Sequence, residues 1–178
     1  MSSKRYLTYS NITVTIALVT SVFALIVSIY EATIMQSQQK AMVWPHVNIR
    51  QQHNSQGFGF VARNNGIGPA LISSMEVRLN GSAVENFNDL LDVINPDRTF
   101  GYNILKMENF NGTVLATGEE RLLFGIPYND ETWPITQKLY DTEMIVEYES
   151  VLGEKWNYNL KTKKTVKEKF KAEVEFQN

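Results

Sequence analysis

The chain opens on a short polar tail, passes through one unbroken apolar block, and then changes to short alternating stretches separated by turn residues. Ile12 to Tyr30 (ITVTIALVTSVFALIVSIY) holds 19 residues without a charge. At about 1.5 Å of rise per residue it makes a helix of roughly 28 Å, close to the hydrocarbon thickness of a bilayer. Its polar positions, Thr13, Thr15, Thr20, Ser21 and Ser28, form no charged face of the kind that a core helix turns to water. The block is also too long, and with Tyr30 too bulky at its end, for a cleaved secretory signal. The pattern predicts a tail at 1–11, an uncleaved transmembrane helix at 12–30 and a helical stalk at 31–42 (EATIMQSQQKAM), stopped by Pro45.

From Val43 to Asn178 the period shortens. Met144-Ile145-Val146-Glu147-Tyr148 and Trp156-Asn157-Tyr158-Asn159-Leu160 exchange apolar and polar residues with period two, which is the signature of antiparallel strands with one buried face. Strands are predicted at Trp44 to Gln51, Gly57 to Arg63, Leu71 to Leu79, Phe100 to Met107, Arg121 to Ile126, Glu143 to Glu149 and Lys155 to Lys161. Asn80-Gly81 reads as a type I′ hairpin turn leading into Ser82-Ala83-Val84, Asn111-Gly112 repeats that chemistry, and Val151 to Glu154 reads as a longer hairpin loop. Phe87, Leu90, Leu91 and Ile94 at helical spacing, with Asn86 or Asn88 as a cap and Pro96 beyond, predict one short helix. Ala172, Val174 and Phe176 alternate in a charge-dense C-terminal segment and suggest a final edge strand. The expected fold is mainly β: a single transmembrane α-helix followed by an antiparallel immunoglobulin-like β-sandwich with one short helix.

Composition changes this picture little. Of 178 residues 43% are hydrophobic and 20% charged, which excludes a disordered chain. Seventeen Lys and Arg against nineteen Asp and Glu leave a net charge of −2, so nothing points to nucleic acid as a partner. The absence of cysteine removes disulfides, thiolate metal sites and a thiol nucleophile. Candidate chemistry is sparse. His46 and His53 are seven apart, an odd spacing that sends them to opposite faces of a strand and suits no shared metal. The acidic pairs Glu119-Glu120 and Asp130-Glu131 do not read as a glycosidase pair, and Ser73-Ser74 lacks a nucleophile elbow. No catalytic, cofactor-binding or metal-ligating set is expected, and the chain does not read as an enzyme. Trp44 and Trp156 read as core or interface aromatics, and Trp133-Pro134 near Tyr128 as an exposed loop.

Within the span, Ala17, Ser21, Ala24 and Ser28 recur at spacings of four, three and four and share a helix face that lets a second helix approach. Self-association through that face is one expectation. Lys4 and Arg5 precede the span, whereas Glu31 follows it and the next positive charge is Lys40, a bias that puts the N-terminus in the cytoplasm and the C-terminal domain outside it.

Ala41-Met42-Val43-Trp44-Pro45-His46-Val47, directly after a span and a Gln-rich stalk, resembles the start of a group of uncharacterised bacterial single-span membrane proteins. Val61 to Ala70 (VARNNGIGPA) is similar to that group's Asn-x-Gly-x-Gly-Pro-Ala turn, and Val114 to Glu120, Tyr148-Glu149-Ser150, Gly153-Glu154 and Trp156 follow in the same order. The resemblance implies a bacterial inner-membrane location and an architecture, with no activity attached. Read physically, Asn64, Gly66, Gly68 and Pro69 form a structural turn: the glycines supply backbone angles closed to other residues, Asn64 bonds the loop and Pro69 stiffens its exit. A phosphate-binding loop is not indicated, since no Gly-Lys-Ser/Thr ending or following helix is present. The expected function is a membrane-anchored, non-enzymatic binding or scaffold module with the bilayer and a protein as partners. The alternative is an effector or sensor whose span oligomerises on ligand binding.

Overall fold

The computed structural model describes residues 3–97, 104, 106–107, 110–167, 172, 174 and 176. It divides into two units, Met1–Met42 and Val43–Asn178. The first is one helix, α1 (Ser3–Met42), of 40 residues. Its stretch Tyr9–Met42 is long and apolar enough to cross a membrane, with a mean hydropathy of 2.5 over its most apolar window. Five of the hydroxyls inside that stretch bond the preceding turn: Thr13 donates to Tyr9 O (3.0 Å), Thr15 to Asn11 O (2.8 Å), Thr20 to Ile16 O (3.0 Å), Ser21 to Ala17 O (2.7 Å) and Thr33 to Ile29 O (2.6 Å). A polar residue that bonds the preceding turn carries little penalty in an apolar helix.

The second unit is built on two antiparallel sheets. One runs in the order β1-β2-β7-β5 from β1 (Val47–Asn54), β2 (Gly57–Asn64), β5 (Lys106–Met107) and β7 (Glu120–Ile126). The other runs β10-β9-β8-β3-β4, from β3 (Ala70–Leu79), β4 (Ser82–Val84), β8 (Thr142–Glu149), β9 (Lys155–Asn159) and β10 (Lys164–Val166), with β6 (Val114–Leu115) also on β3. Val47 and Ile49, Phe58 and Phe60, Met144, Val146 and Tyr148, and Trp156 and Tyr158 all sit in one buried cluster, so alternate residues of both sheets share a core. The predicted strands are found with ends moved by a few residues, except that most of Phe100 to Met107 lies outside the described residues. The short helix is α2 (Phe87–Ile94), amphipathic as its spacing predicts, with Asn86 Oδ1 accepting from the Asp89 N–H at 2.9 Å.

Several expectations are corrected. Trp44 to His46 are not strand: the Trp44 carbonyl is spent on the Ile67 and Gly68 N–H groups (3.0 and 3.3 Å), and Pro45 has no N–H for a ladder. The Asn80-Gly81 turn has both central φ positive (52° and 87°), whereas at Asn111-Gly112 only Gly112 does (69°). Asn111 there donates Nδ2 to the Phe176 carbonyl at 2.6 Å instead. The pattern also missed α3 (Trp133–Leu139), because Pro134 reads as a breaker although proline is tolerated in a first turn. Ala172, Val174 and Phe176 form no strand. Phe176 is buried, donates its N–H to Met75 O (3.1 Å) and packs edge-on against Phe87 at 4.7 Å between ring centres. Residues 168–171, 173 and 175 of that segment lie outside the described set.

Tyr148 is fully buried and stacked on Trp156 at 5.9 Å, and burial pushes its phenol up to about 12. Because the folded value lies above that of an unfolded tyrosine, the stabilisation is complete below the unfolded value and is lost as pH rises through the folded one. Phenolate absorbance during an alkaline titration should therefore show a late tyrosine that ionises together with unfolding. Tyr148→Phe should remove that late component; its persistence would assign it to another tyrosine.

Candidate functional site

Two ends of the second unit carry different chemistry. At the end where the chain joins from α1, Asn64 is fully buried and every polar group it has is used. Its Oδ1 accepts from the N–H groups of His46 (3.1 Å) and Gly66 (2.9 Å), and its Nδ2 donates to the carbonyls of Gly68 (2.8 Å) and Leu115 (3.0 Å). Its backbone bonds Glu119 O (3.1 Å) and Gly118 N (2.9 Å). Gly66 and Gly68 are needed for a reason other than the one read from the sequence. Neither has positive φ; instead each lies against the chain at Val43 to His46, where a Cβ on Gly66 would come 2.5 Å from Trp44 O and one on Gly68 would overlap the Val43 backbone. Pro69, half-buried, leads into β3. The Val-Trp-Pro run and the Asn-Gly-Gly-Pro turn are thus two sides of one fastening. Beside it the Ala116 N–H and then the Arg121 guanidinium hold the Glu119 carboxyl below the usual carboxylate range.

The opposite end of β1 carries an exposed aromatic group. His53 meets Tyr128 edge-on (4.8 Å between ring centres), Tyr128 meets Trp133 edge-on (5.5 Å), and His53 Nδ1 lies 3.3 Å from the Tyr140 hydroxyl. Tyr128, Trp133 and Tyr140 are 46%, 43% and 42% exposed, although Tyr140 also packs its ring on buried Phe58 at 5.2 Å. The connection that presents them is rigid: Thr132 and Asn129 bond each other reciprocally (2.9 and 2.8 Å), and Thr132 Oγ1 donates to Pro127 O at 2.6 Å. Gln51 Nε2 ties β1 to Tyr140 O at 3.1 Å. Sequence reasoning placed Trp133 and Tyr128 near one another but saw neither His53 nor Tyr140 beside them, since these converge from segments almost ninety residues apart.

The remaining named residues stay apart. His46 precedes β1 and tilts against Trp44 at 5.3 Å, so the histidines sit at opposite ends of that strand. Glu119 pairs with Arg121 (2.5 Å) and Glu120 with Arg50 (2.7 Å), while Asp130 and Glu131 are exposed. Among the described residues no three His, Asp or Glu side chains gather as metal ligands. Ala17, Ser21, Ala24 and Ser28 are exposed on α1, and the Ser21 hydroxyl is already bonded to Ala17 O, so the face offers small volume more than free hydroxyls.

A long apolar N-terminal helix followed by a two-sheet antiparallel unit defines the class of the protein. The chain belongs to the family described as domain of unknown function (DUF8453), whose model matches residues 9–176 and so takes in both units. No curated protein and no solved structure matches it significantly.

Proposed function

We propose that the protein is a membrane-anchored, non-enzymatic binding module of the bacterial inner membrane, an immunoglobulin-like sandwich held on a single span with the N-terminus in the cytoplasm. The observation that carries the reading is the strand order. If β1, β2, β3, β5, β7, β8 and β9 are lettered A to G, the sheets read A-B-E-D and G-F-C, with β4 as an added C′ strand and β10 beside G. Domains so built serve mainly by recognition through loops at their ends, and function belongs to the site rather than to the fold. The rigidly held rings of Tyr128, Trp133, Tyr140 and His53 supply such a surface, since exposed aromatics with polar tips are the side chains enriched where proteins meet partners. The Lys4/Arg5 bias supports the orientation.

The test uses the full chain in cells. A photo-crosslinking residue at Trp133 or Tyr128 should give discrete protein adducts, and one at the exposed Asn80 none. Equal adducts at all three positions, or none, would remove the aromatic end as the recognition surface. A compartment-sensitive reporter after Asn178 checks the orientation separately: an extracytoplasmic signal is expected.

A further inference from the structure

We propose that the end of the second unit at which the chain enters from α1 rests on the lipid surface, with Trp44, Ile67, Val114, Val151 and Leu152 inserted at the boundary between headgroups and acyl chains. The inference rests on α1 crossing the bilayer and is independent of what the aromatic end recognises. Trp44 lies in the entering segment, Ile67 in the turn from β2 to β3, and Val151 and Leu152 in the hairpin from β8 to β9. Val114 of β6 pairs with Leu71, and Leu71 pairs with Glu149 at the foot of that hairpin, which puts Val114 at the same level. The five run from 44% (Trp44) to 62% (Ile67) exposed. Single surface aliphatics are ordinary in a folded protein, whereas large apolar side chains brought to one end from separate segments mark a contact surface.

The turns that present these side chains are firmly held. The Ile67 N–H bonds Trp44 O at 3.0 Å, and its neighbours Gly66 and Gly68 are buried against the chain at Val43 to His46, so the Ile67 side chain is kept outward. In the hairpin, Ser150 Oγ accepts from the N–H groups of Leu152 (3.3 Å) and Glu154 (3.2 Å), and the Gly153 N–H donates to Ser150 O at 2.9 Å. Corners of this kind ordinarily take Asn, Asp or Ser, so aliphatic tips on them call for an apolar contact. The chemistry selects lipid. Four of the five side chains have no polar atom, and the fifth is tryptophan, which is enriched at the faces of a bilayer. The charges beside them come in pairs, Arg63 with Glu120 (3.8 Å), Arg121 with Glu119, Lys155 with Glu149 (3.4 Å) and Lys167 with Glu154 (2.7 Å), which lowers the cost of bringing this end against a less polar layer. Connectivity selects the bilayer over a second protein. The stalk at 31–42, as a helix, reaches about 18 Å, and the headgroup layer fills about 5–8 Å of that. Tilt of α1 within the ordinary range, with the exposed Ile34 and Met35 drawn toward the acyl chains, closes the rest. A surface tethered this near meets lipid at a high effective concentration, so individually weak contacts suffice.

The chain has no cysteine, so single cysteines can carry a fluorophore in the full-length protein, held at one chain per phosphatidylcholine nanodisc. Labels at Ile67→Cys and Leu152→Cys are compared with Val22→Cys inside α1 and Asn80→Cys at the opposite end of the second unit. Brominated lipid should quench the labels at 67, 152 and 22 and leave the one at 80 bright. Aqueous iodide should quench the label at 80 and spare those at 67 and 152. High salt should change neither pattern, since the charges at this end are already paired. Val114→Ser with Val151→Ser should weaken bromolipid quenching at 152 while the denaturation midpoint stays that of the parent, because both side chains are more exposed than buried. Iodide reaching 67 and 152 as freely as 80 would overturn the proposal. Shielding from iodide without bromolipid quenching would put the patch against protein and overturn it too. Loss of bromolipid quenching at 22 as well would remove the span and this inference together. A chain that cross-links through Trp133 with 67 and 152 open to iodide would keep the module reading and end this one.

Discussion

Replacing Asn64 by alanine is expected to remove about 3–5 kcal/mol of the second unit's stability, a large share of the 5–15 kcal/mol that single domains have. The side chain is fully buried and its four bonds join the chain at His46, the turn at Gly66 and Gly68, and Leu115 of β6. Alanine strands two N–H groups and two carbonyls at once, and water that enters to rescue them must open the packing. Asn64→Asp is expected to be comparably harmful, because it keeps the acceptor but turns a second oxygen toward the carbonyls of Gly68 and Leu115 where Nδ2 now donates. Asn65→Ala next door, an exposed side chain, should lie within about 0.5 kcal/mol of the parent. Denaturant unfolding of the full chain followed by tryptophan fluorescence reads all three. Equal midpoints for Asn64→Ala and Asn65→Ala would mean that the joint is held by something other than this asparagine.

The second large effect is expected at the other end of the sequence, from Phe176→Ala, at about 3–5 kcal/mol for emptying a buried phenylalanine site. Phe176 is 2% exposed, its ring meets Phe87 of α2, its N–H bonds Met75 O and its carbonyl takes Asn111 Nδ2. Met75 lies on β3 between the residues that pair with β6 (Ala70, Leu71) and those that pair with β4 (Val77 to Leu79), so this residue fills a gap in the strand's edge. Phe176→Leu should recover part of the loss and Val174→Ala, at a half-exposed position, should cost little. A truncation after residue 175 that unfolds at the parent's denaturant concentration would show that Phe176 does not close the core.

Legibility followed the range of the interaction. α1, α2, the Asn80-Gly81 hairpin and the alternating strands β8 and β9 depend on residues within a turn or a strand of one another, and all were read from spacing. Asn64 was legible as a turn residue, but its bonds to His46 and Leu115 span 18 and 51 positions, and the part played by Gly66 and Gly68 is invisible without the segment at Val43 to His46 that lies against them. Phe176 alternates with Ala172 and Val174 as an edge strand would, yet its environment is set by Phe87 and Met75 from far upstream.

Sequence alone therefore determined that one helix is apolar enough to cross a membrane and that a mainly antiparallel β unit follows it, because an unbroken apolar run and a period of two are local consequences of how backbone polar groups must be satisfied. Tertiary structure decided the strand order and the gathering of His53, Tyr128, Trp133 and Tyr140 at one end. Those depend on which inward faces pack together, and a period of two says that a face is buried without saying against what.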